Sequence, residues 1–313
     1  MAEYFLGVDG GQSSTYALIG DANGRVLGGG RGGPSNHVGA SEGRAKFTDA
    51  IQTCLSAACA SADLDAATIR FAVACLGFSG GPADKESILR EILRSDRTIV
   101  THDALIALSG ATGGEPGVIT IAGTGSIAFG RNASGKTARA GGWGYVFGDE
   151  GGGFGIVRQA LGAALKLEES WGEPTSLRQM FLDQTGASDI NDLLHRFYTP
   201  EFPRPRIAGF AELVDEAAEN GDAIAREILN DAARQLAAIA WAVRGQLFEK
   251  DESVRVAYVG GVFRSRTVRE EFMALAADKA GPPIHGPAAG ALLEAYRAAG
   301  VRCTLSNAPP EKP

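Results

Sequence analysis

The chain has 313 residues, 44% of them apolar and 21% charged, with a formal net charge of −7. That is length enough for two domains with separate cores and the balance of an ordinary globular protein, and no apolar run is long enough to cross a bilayer. The acidic excess argues against a nucleic-acid partner, which needs a basic footprint, and the four cysteines and four histidines are too scattered for zinc or iron–sulfur spacing.

The opening MAEYFLGVDGG carries no basic leader, so the expected location is the cytoplasm. Residues 4–9 and 15–19 read as strands separated by Gly10-Gly11-Gln12-Ser13-Ser14, and Asn23-Gly24 marks a second turn. The chain therefore begins as an antiparallel meander. Apolar residues recur at helical spacing from 41 to about 62, followed by a buried strand over 71–76, a helix near 84–94, a strand over 98–101 and a helix beginning at Asp103.

The glycine-rich stretch 110–117 marks a domain boundary, giving expected domains of 1–112 and 113–313. Immediately after it the opening pattern recurs: Val118-Ile119-Thr120-Ile121 leads through Ala122-Gly123-Thr124-Gly125-Ser126 into Ile127-Ala128-Phe129. Strand, small-residue turn, strand at both domain starts points to internal duplication. A helix-rich insertion is expected over about 153–250, then a strand over 254–259 ending in Gly260-Gly261, helices near 265–278 and 287–299, and a mobile Pro-rich tail.

One motif misleads. Gly130 to Thr137, GRNASGKT, matches the phosphate-loop pattern G-x-x-x-x-G-K-[ST], which functions only where a helix leaves the loop. Here Gly141, Gly142, Gly144 and Gly148 follow, each unfavourable in a helix, so a polar hairpin turn is expected instead.

The two small-residue turns suit polyphosphate binding, because successive backbone N–H groups form anion-binding nests. Ser13 and Thr124 are the candidate hydroxyl donors, though either turn alone is equally a tight hairpin. Asp9, ending the first strand, offers a hard oxygen ligand for Mg²⁺, or else caps its own turn. Asp103 stands at the C-terminal end of a strand, where α/β folds gather ligands; it is either a general base for an attacking hydroxyl or an ordinary helix cap. Gly141-Gly142-Trp143-Gly144 and Gly148-Asp149-Glu150-Gly151 join an aromatic ring to carboxylates, a combination that carbohydrate sites use and packed loops also show.

Taken in order, VDGGQSST, PSNH, HDA, IAGTGS, GGWG, GDEG and YVGG resemble the eukaryotic N-acetylglucosamine kinases and the BadF/BadG/BcrA/BcrD-type ATPase family, within the actin-like, sugar kinase and Hsp70 superfamily. The resemblance implies an α/β fold of two ribonuclease-H-like domains with ATP and an amino sugar bound in the cleft between them. It implies Asp103 as the base acting on the sugar 6-hydroxyl, with Asn36, Gly142, Trp143 and Asp149 also binding the sugar. Gly10, Gly11, Ser13, Gly123, Thr124 and Gly125 fall on the phosphate loops, Ala218, Gly260 and Gly261 on the adenosine site, and Asp9 on the metal. The expected activity is ATP-dependent 6-phosphorylation of an amino sugar, N-acetylglucosamine first, with glucosamine or N-acetylmuramic acid as alternatives. The rival expectation is an ATPase switch read by a protein partner. The partners expected are the sugar and a second copy of the chain, with no nucleic acid and no membrane. The family's cluster-binding branch needs cysteines that this sequence lacks at the matching positions.

Overall fold

The computed structural model describes residues 3–35, 41–79, 85–276 and 279–309. By its internal contacts the chain divides into one unit of residues 1–116 with 283–312 and another of residues 117–282.

The first unit is built on β1 (Tyr4–Gly10), β2 (Thr15–Asp21), β3 (Val26–Gly32), β4 (Phe71–Phe78) and β5 (Ser95–His102), in the order β3-β2-β1-β4-β5. β1 to β3 form the antiparallel meander, while β4 runs parallel to β1 and β5 parallel to β4. Alternation along each strand sends side chains to opposite faces. Leu6, Val8 and Leu76 pack with Phe47 and Ile51 of α1 (Ser41–Ser61). Phe5, Leu18 and Cys75 pack on the other face with Ile106 of α3 (Asp103–Thr112) and Leu292 and Tyr296 of α11 (Pro287–Ala298). The short α2 (Glu86–Ile92) leads into β5. α3 and α11 touch backbone to backbone: a Cβ at Gly290 would lie 1.8 Å from the Ile106 carbonyl oxygen, so only glycine permits this crossing.

The second unit repeats the pattern with β6 (Gly117–Ala122), β7 (Ser126–Arg131), β8 (Thr137–Gly141), β9 (Arg255–Val259) and β10 (Ala280–Gly281), in the order β10-β9-β6-β7-β8. β6 to β8 are antiparallel, and β9 and β10 follow in parallel. Strand for strand this is the topology of the first sheet, so the duplication read from two short turns extends to the whole strand plan. Each unit has the ribonuclease-H-like strand plan, and the fold class is α/β. Between β8 and β9 lie α4 (Gly153–Glu168), α5 (Leu177–Thr185), α6 (Ile190–Phe197), α7 (Arg204–Gly209), α8 (Ala211–Glu219) and α9 (Ala223–Leu247). α10 (Arg266–Ala276) follows a 3₁₀ turn at Gly261–Arg264. Ile156, Phe181, Leu229, Leu236 and Phe272 meet Val118 and Val256 in one core.

The phosphate-loop look-alike is a hairpin turn between β7 and β8. Asn132 Oδ1 accepts from the N–H groups of Ser134 and Lys136, and the Asn132 N–H donates to the Lys136 carbonyl. No helix follows. The tail, expected to be mobile, is pinned as far as Ser306: the Val26 N–H donates to the Ser306 carbonyl at 2.9 Å and the Ser306 N–H to that of Gly24 at 3.0 Å. Among the described residues no helix is long and apolar enough to cross a membrane.

Candidate functional site

In the first unit the parallel register brings three strand ends to one edge. Gly10 of β1 lies opposite Phe78 of β4, and Phe78 opposite His102 of β5. Asp9 therefore stands one residue from that edge and Asp103 one residue beyond it. The turn joining β1 to β2 closes through the Gly11 N–H donating to the Ser14 carbonyl at 3.0 Å, and it leaves Ser13 exposed. The Gly10 carbonyl accepts from the Ser79 N–H, and the Gly11 carbonyl from that of Ser35. Asn36 lies outside the described residues.

Asp9 is half-buried and lines a hollow of about 270 Å³ with Ser14, Tyr16, Arg31 and Gly286. Burial, and secondly the charge of Asp103, push its carboxyl up to about 6. Asp103 is exposed and is the first residue of α3, not its cap. The cap is His102, whose Nδ1 accepts from the Leu105 N–H at 3.2 Å, while Asp103 Oδ1 accepts from the adjacent Ala104 N–H at 2.8 Å. An accepting Nδ1 must be unprotonated. Desolvation holds His102 below its ordinary value against the opposing charge of Asp103, which suits that role. The histidine thus satisfies an orphan helix donor and leaves the aspartate at the sheet edge.

In the second unit the β6–β7 turn is tied to the start of α4. The Gly123 N–H donates to the Gly125 carbonyl at 2.9 Å, and the Gly153 and Phe154 N–H groups donate to the carbonyls of Gly123 and Thr124 at 2.8 and 3.1 Å. The two glycine-rich loops converge on the same turn. The Gly142 N–H donates to the Ser126 carbonyl, and Ser126 Oγ donates to the Glu150 carbonyl. Asp149, 8% exposed, sits in left-handed backbone with φ 64°. Its carboxylate packs so closely on Gly125 that a Cβ there would fall 2.2 Å from Oδ2. Arg204 approaches the same oxygen at 3.7 Å and covers the Tyr145 ring at 5.2 Å. Trp143 is 65% exposed, with the Arg139 guanidinium 4.7 Å over its ring.

A cavity of about 280 Å³ adjoins this turn, lined by Gly123, Thr124 and Gly261 together with Glu212, Asp215 and Ser265. Ser265 Oγ donates to Asp215 Oδ1 and accepts from the Val268 N–H. Gly260 is not in the lining; at φ 114° it packs the end of β9 on β6, where a Cβ would lie 2.2 Å from the Ala122 carbonyl oxygen. Ala218 is 2% exposed in the hydrophobic core, also outside the lining, and its carbonyl accepts from Arg226. Glu212, Asp215 and Ser265 were not singled out in the sequence, where single polar residues on amphipathic helices look like a solvated face.

The model of the BadF/BadG/BcrA/BcrD ATPase family matches residues 6–295. A Clostridium acetobutylicum protein named N-acetylmuramic acid/N-acetylglucosamine kinase is 33% identical over 281 residues, covering 84% of this chain and 86% of the relative. The N-acetyl-D-glucosamine kinase of Dictyostelium discoideum is 31% identical over 283 residues, covering 87% and 89%. A solved structure from Chromobacterium violaceum, provisionally named an N-acetylglucosamine kinase, superposes with a TM-score of 0.71 at 28% identity, covering 93% of this chain and 98% of that one.

Proposed function

The chain belongs to the BadF/BadG/BcrA/BcrD ATPase family, and on that premise we propose that it is an ATP-dependent kinase acting on the 6-hydroxyl of an N-acylated amino sugar, N-acetylglucosamine foremost. One observation carries the reading: an exposed Asp103 carboxylate at the C-terminal edge of parallel strands, released from capping by His102. A general base needs such a position, solvent-facing and within reach of an incoming hydroxyl. The names of the relatives support the substrate class.

In this reading Asp103 accepts the proton of the sugar hydroxyl as that oxygen attacks the terminal phosphoryl group of ATP, whose bond to the bridging oxygen breaks so that ADP leaves. Trp143 supplies an apolar surface for the sugar, and Asp149, held by Arg204 and Gly125, accepts hydrogen bonds from its hydroxyls. Asn36 completes the sugar contacts. The turns at Gly10-Gly11 with Ser13 and at Gly123–Gly125 with Thr124 donate to the phosphates. The adenosine end lies at the cavity of Gly261, Asp215 and Glu212, whose carboxylates are suited to ribose hydroxyls, with Gly260 and Ala218 outside the lining. Mg²⁺ neutralises phosphate charge when bound, and Asp9 fits it: a hard carboxylate raised by burial is stabilised in its charged form by a cation, and Mg²⁺ needs few protein ligands.

The test is coupled ADP release from ATP against a panel of amino sugars, with and without Mg²⁺, followed by phosphorus-coupled NMR of the product. Sugar-dependent turnover with the phosphate on the C6 oxygen is expected. Steady hydrolysis that no sugar stimulates would instead favour an ATPase switch.

A further inference from the structure

The arginines beside the sugar-reading loops differ in what holds them. Arg204 is committed to Asp149 and Tyr145. Arg139 is exposed on β8, the edge strand of its sheet, and among the described residues it has no carboxylate partner. Its guanidinium lies over the Trp143 ring. A guanidinium resting over an aromatic ring keeps its charge and its N–H donors. A guanidinium can bind a carboxylate through two parallel hydrogen bonds. A neutral hydroxyl gains far less from it.

We propose that Arg139 is a specificity-determining residue that reads a carboxylate carried by the sugar. The site would thereby take an N-acyl amino sugar bearing an ether-linked carboxylic acid, the chemistry of N-acetylmuramic acid, as well as its uncharged parent. The inference rests on the reading of Trp143 as the surface beneath the sugar. It adds an anionic subsite beside that surface: the guanidinium lies over one face of the ring, the other face is left to the sugar, and a substituent reaching round the ring edge meets the guanidinium. An arginine on an edge strand also discourages strand pairing between molecules. That role would leave substrate preference untouched, so the two are separable.

The experiment compares kcat/KM for N-acetylglucosamine and N-acetylmuramic acid in the parent protein, Arg139→Gln and Arg139→Lys, with melting temperatures as a control on folding. Arg139→Gln is expected to lower kcat/KM for the acidic sugar roughly ten- to a hundredfold, the scale of a lost charged hydrogen bond, mainly through KM. The neutral sugar stays nearly unchanged. Arg139→Lys, which keeps the charge but not the fork, falls between. Equal losses on both sugars, an unchanged acidic-sugar rate in Arg139→Gln, or a parent enzyme that accepts only the neutral sugar would each overturn the subsite while leaving the kinase reading intact. A parent enzyme that phosphorylates neither would remove the kinase reading and the subsite with it.

Discussion

The charge of Asp103 reaches the carboxyl of Asp9: second to burial, it lifts Asp9 to about 6. It does so because β1, β4 and β5 are parallel and end in register, so residues 94 positions apart in sequence share one edge.

A pH dependence follows from that lift. A carboxyl at about 6 when folded and near 3.8 when unfolded is held more tightly as the acid in the native state. Its stabilising contribution is therefore complete below about pH 4, drains away as pH rises through 6, and above that is a constant cost of up to about 3 kcal/mol. Asp9→Asn removes the cost. In EDTA the variant should melt several degrees above the parent at pH 8, with the gain shrinking as pH falls through 6 and vanishing below about pH 4. Calorimetric scans across this range check it, and a variant less stable than the parent at pH 8 would contradict the assignment. The same variant should lose Mg²⁺-dependent turnover.

Asp103 and His102 separate chemistry from folding. Asp103→Asn keeps the shape and the Ala104 contact, so the melting temperature should hold while sugar-dependent ADP release falls by roughly 10²- to 10⁴-fold, the usual weight of a general base. Nucleotide affinity by calorimetric titration should stay within a few-fold. His102→Ala removes the α3 cap and should cost about 1 kcal/mol of stability. If Asp103→Asn turns over normally, the aspartate is no base; if it unfolds the protein, its role is structural.

Much of this arrangement is legible in the chain. The meanders announce themselves through apolar runs broken by Gly10-Gly11 and Gly123-Thr124-Gly125, and the recurrence of that pattern foreshadows two sheets of equal strand order. What was not legible has physical reasons. β10 has two residues, too few for any periodicity. Within the helix-rich insertion α7 and α8 part at Phe210, which neither glycine nor proline announces; Pro205 stands in the first turn of α7, where its missing N–H is not needed. His102 outdid Asp103 as the cap because capping depends on where the extended backbone ends, and aspartate's stronger preference cannot overrule that position. Asp215 and Glu212 show their relation to Gly123 and Gly261 only in the folded unit.

The β6–β7 turn should tolerate no side chain at Gly125. An alanine methyl would need the space of the Asp149 carboxylate. Since Asp149 is also held by Arg204, displacing it should raise the sugar KM more than it lowers the melting temperature. Steady-state kinetics beside a thermal scan distinguish this from a general loss of folding, in which both would fail together.

Gly260 and Gly261, adjacent and identical in sequence, should respond in opposite ways. A Cβ at Gly260 would meet the Ala122 backbone at 2.2 Å from a backbone with φ 114°, and neither strand end can give way without breaking the pairing of β6 with β9. Gly260→Ala should therefore cost several kcal/mol, beyond the common range for single substitutions, because strain and overpacking act at one point. At Gly261 a Cβ meets nothing within 4 Å, yet the residue lines the cavity with Thr124 and Asp215. Gly261→Ala should leave the melting temperature nearly unchanged and raise the KM for ATP. Denaturant unfolding and nucleotide titration on the two variants decide the matter: equal stability losses would mean that Gly261 serves packing, and an unaltered ATP affinity in Gly261→Ala would move the nucleotide out of that cavity.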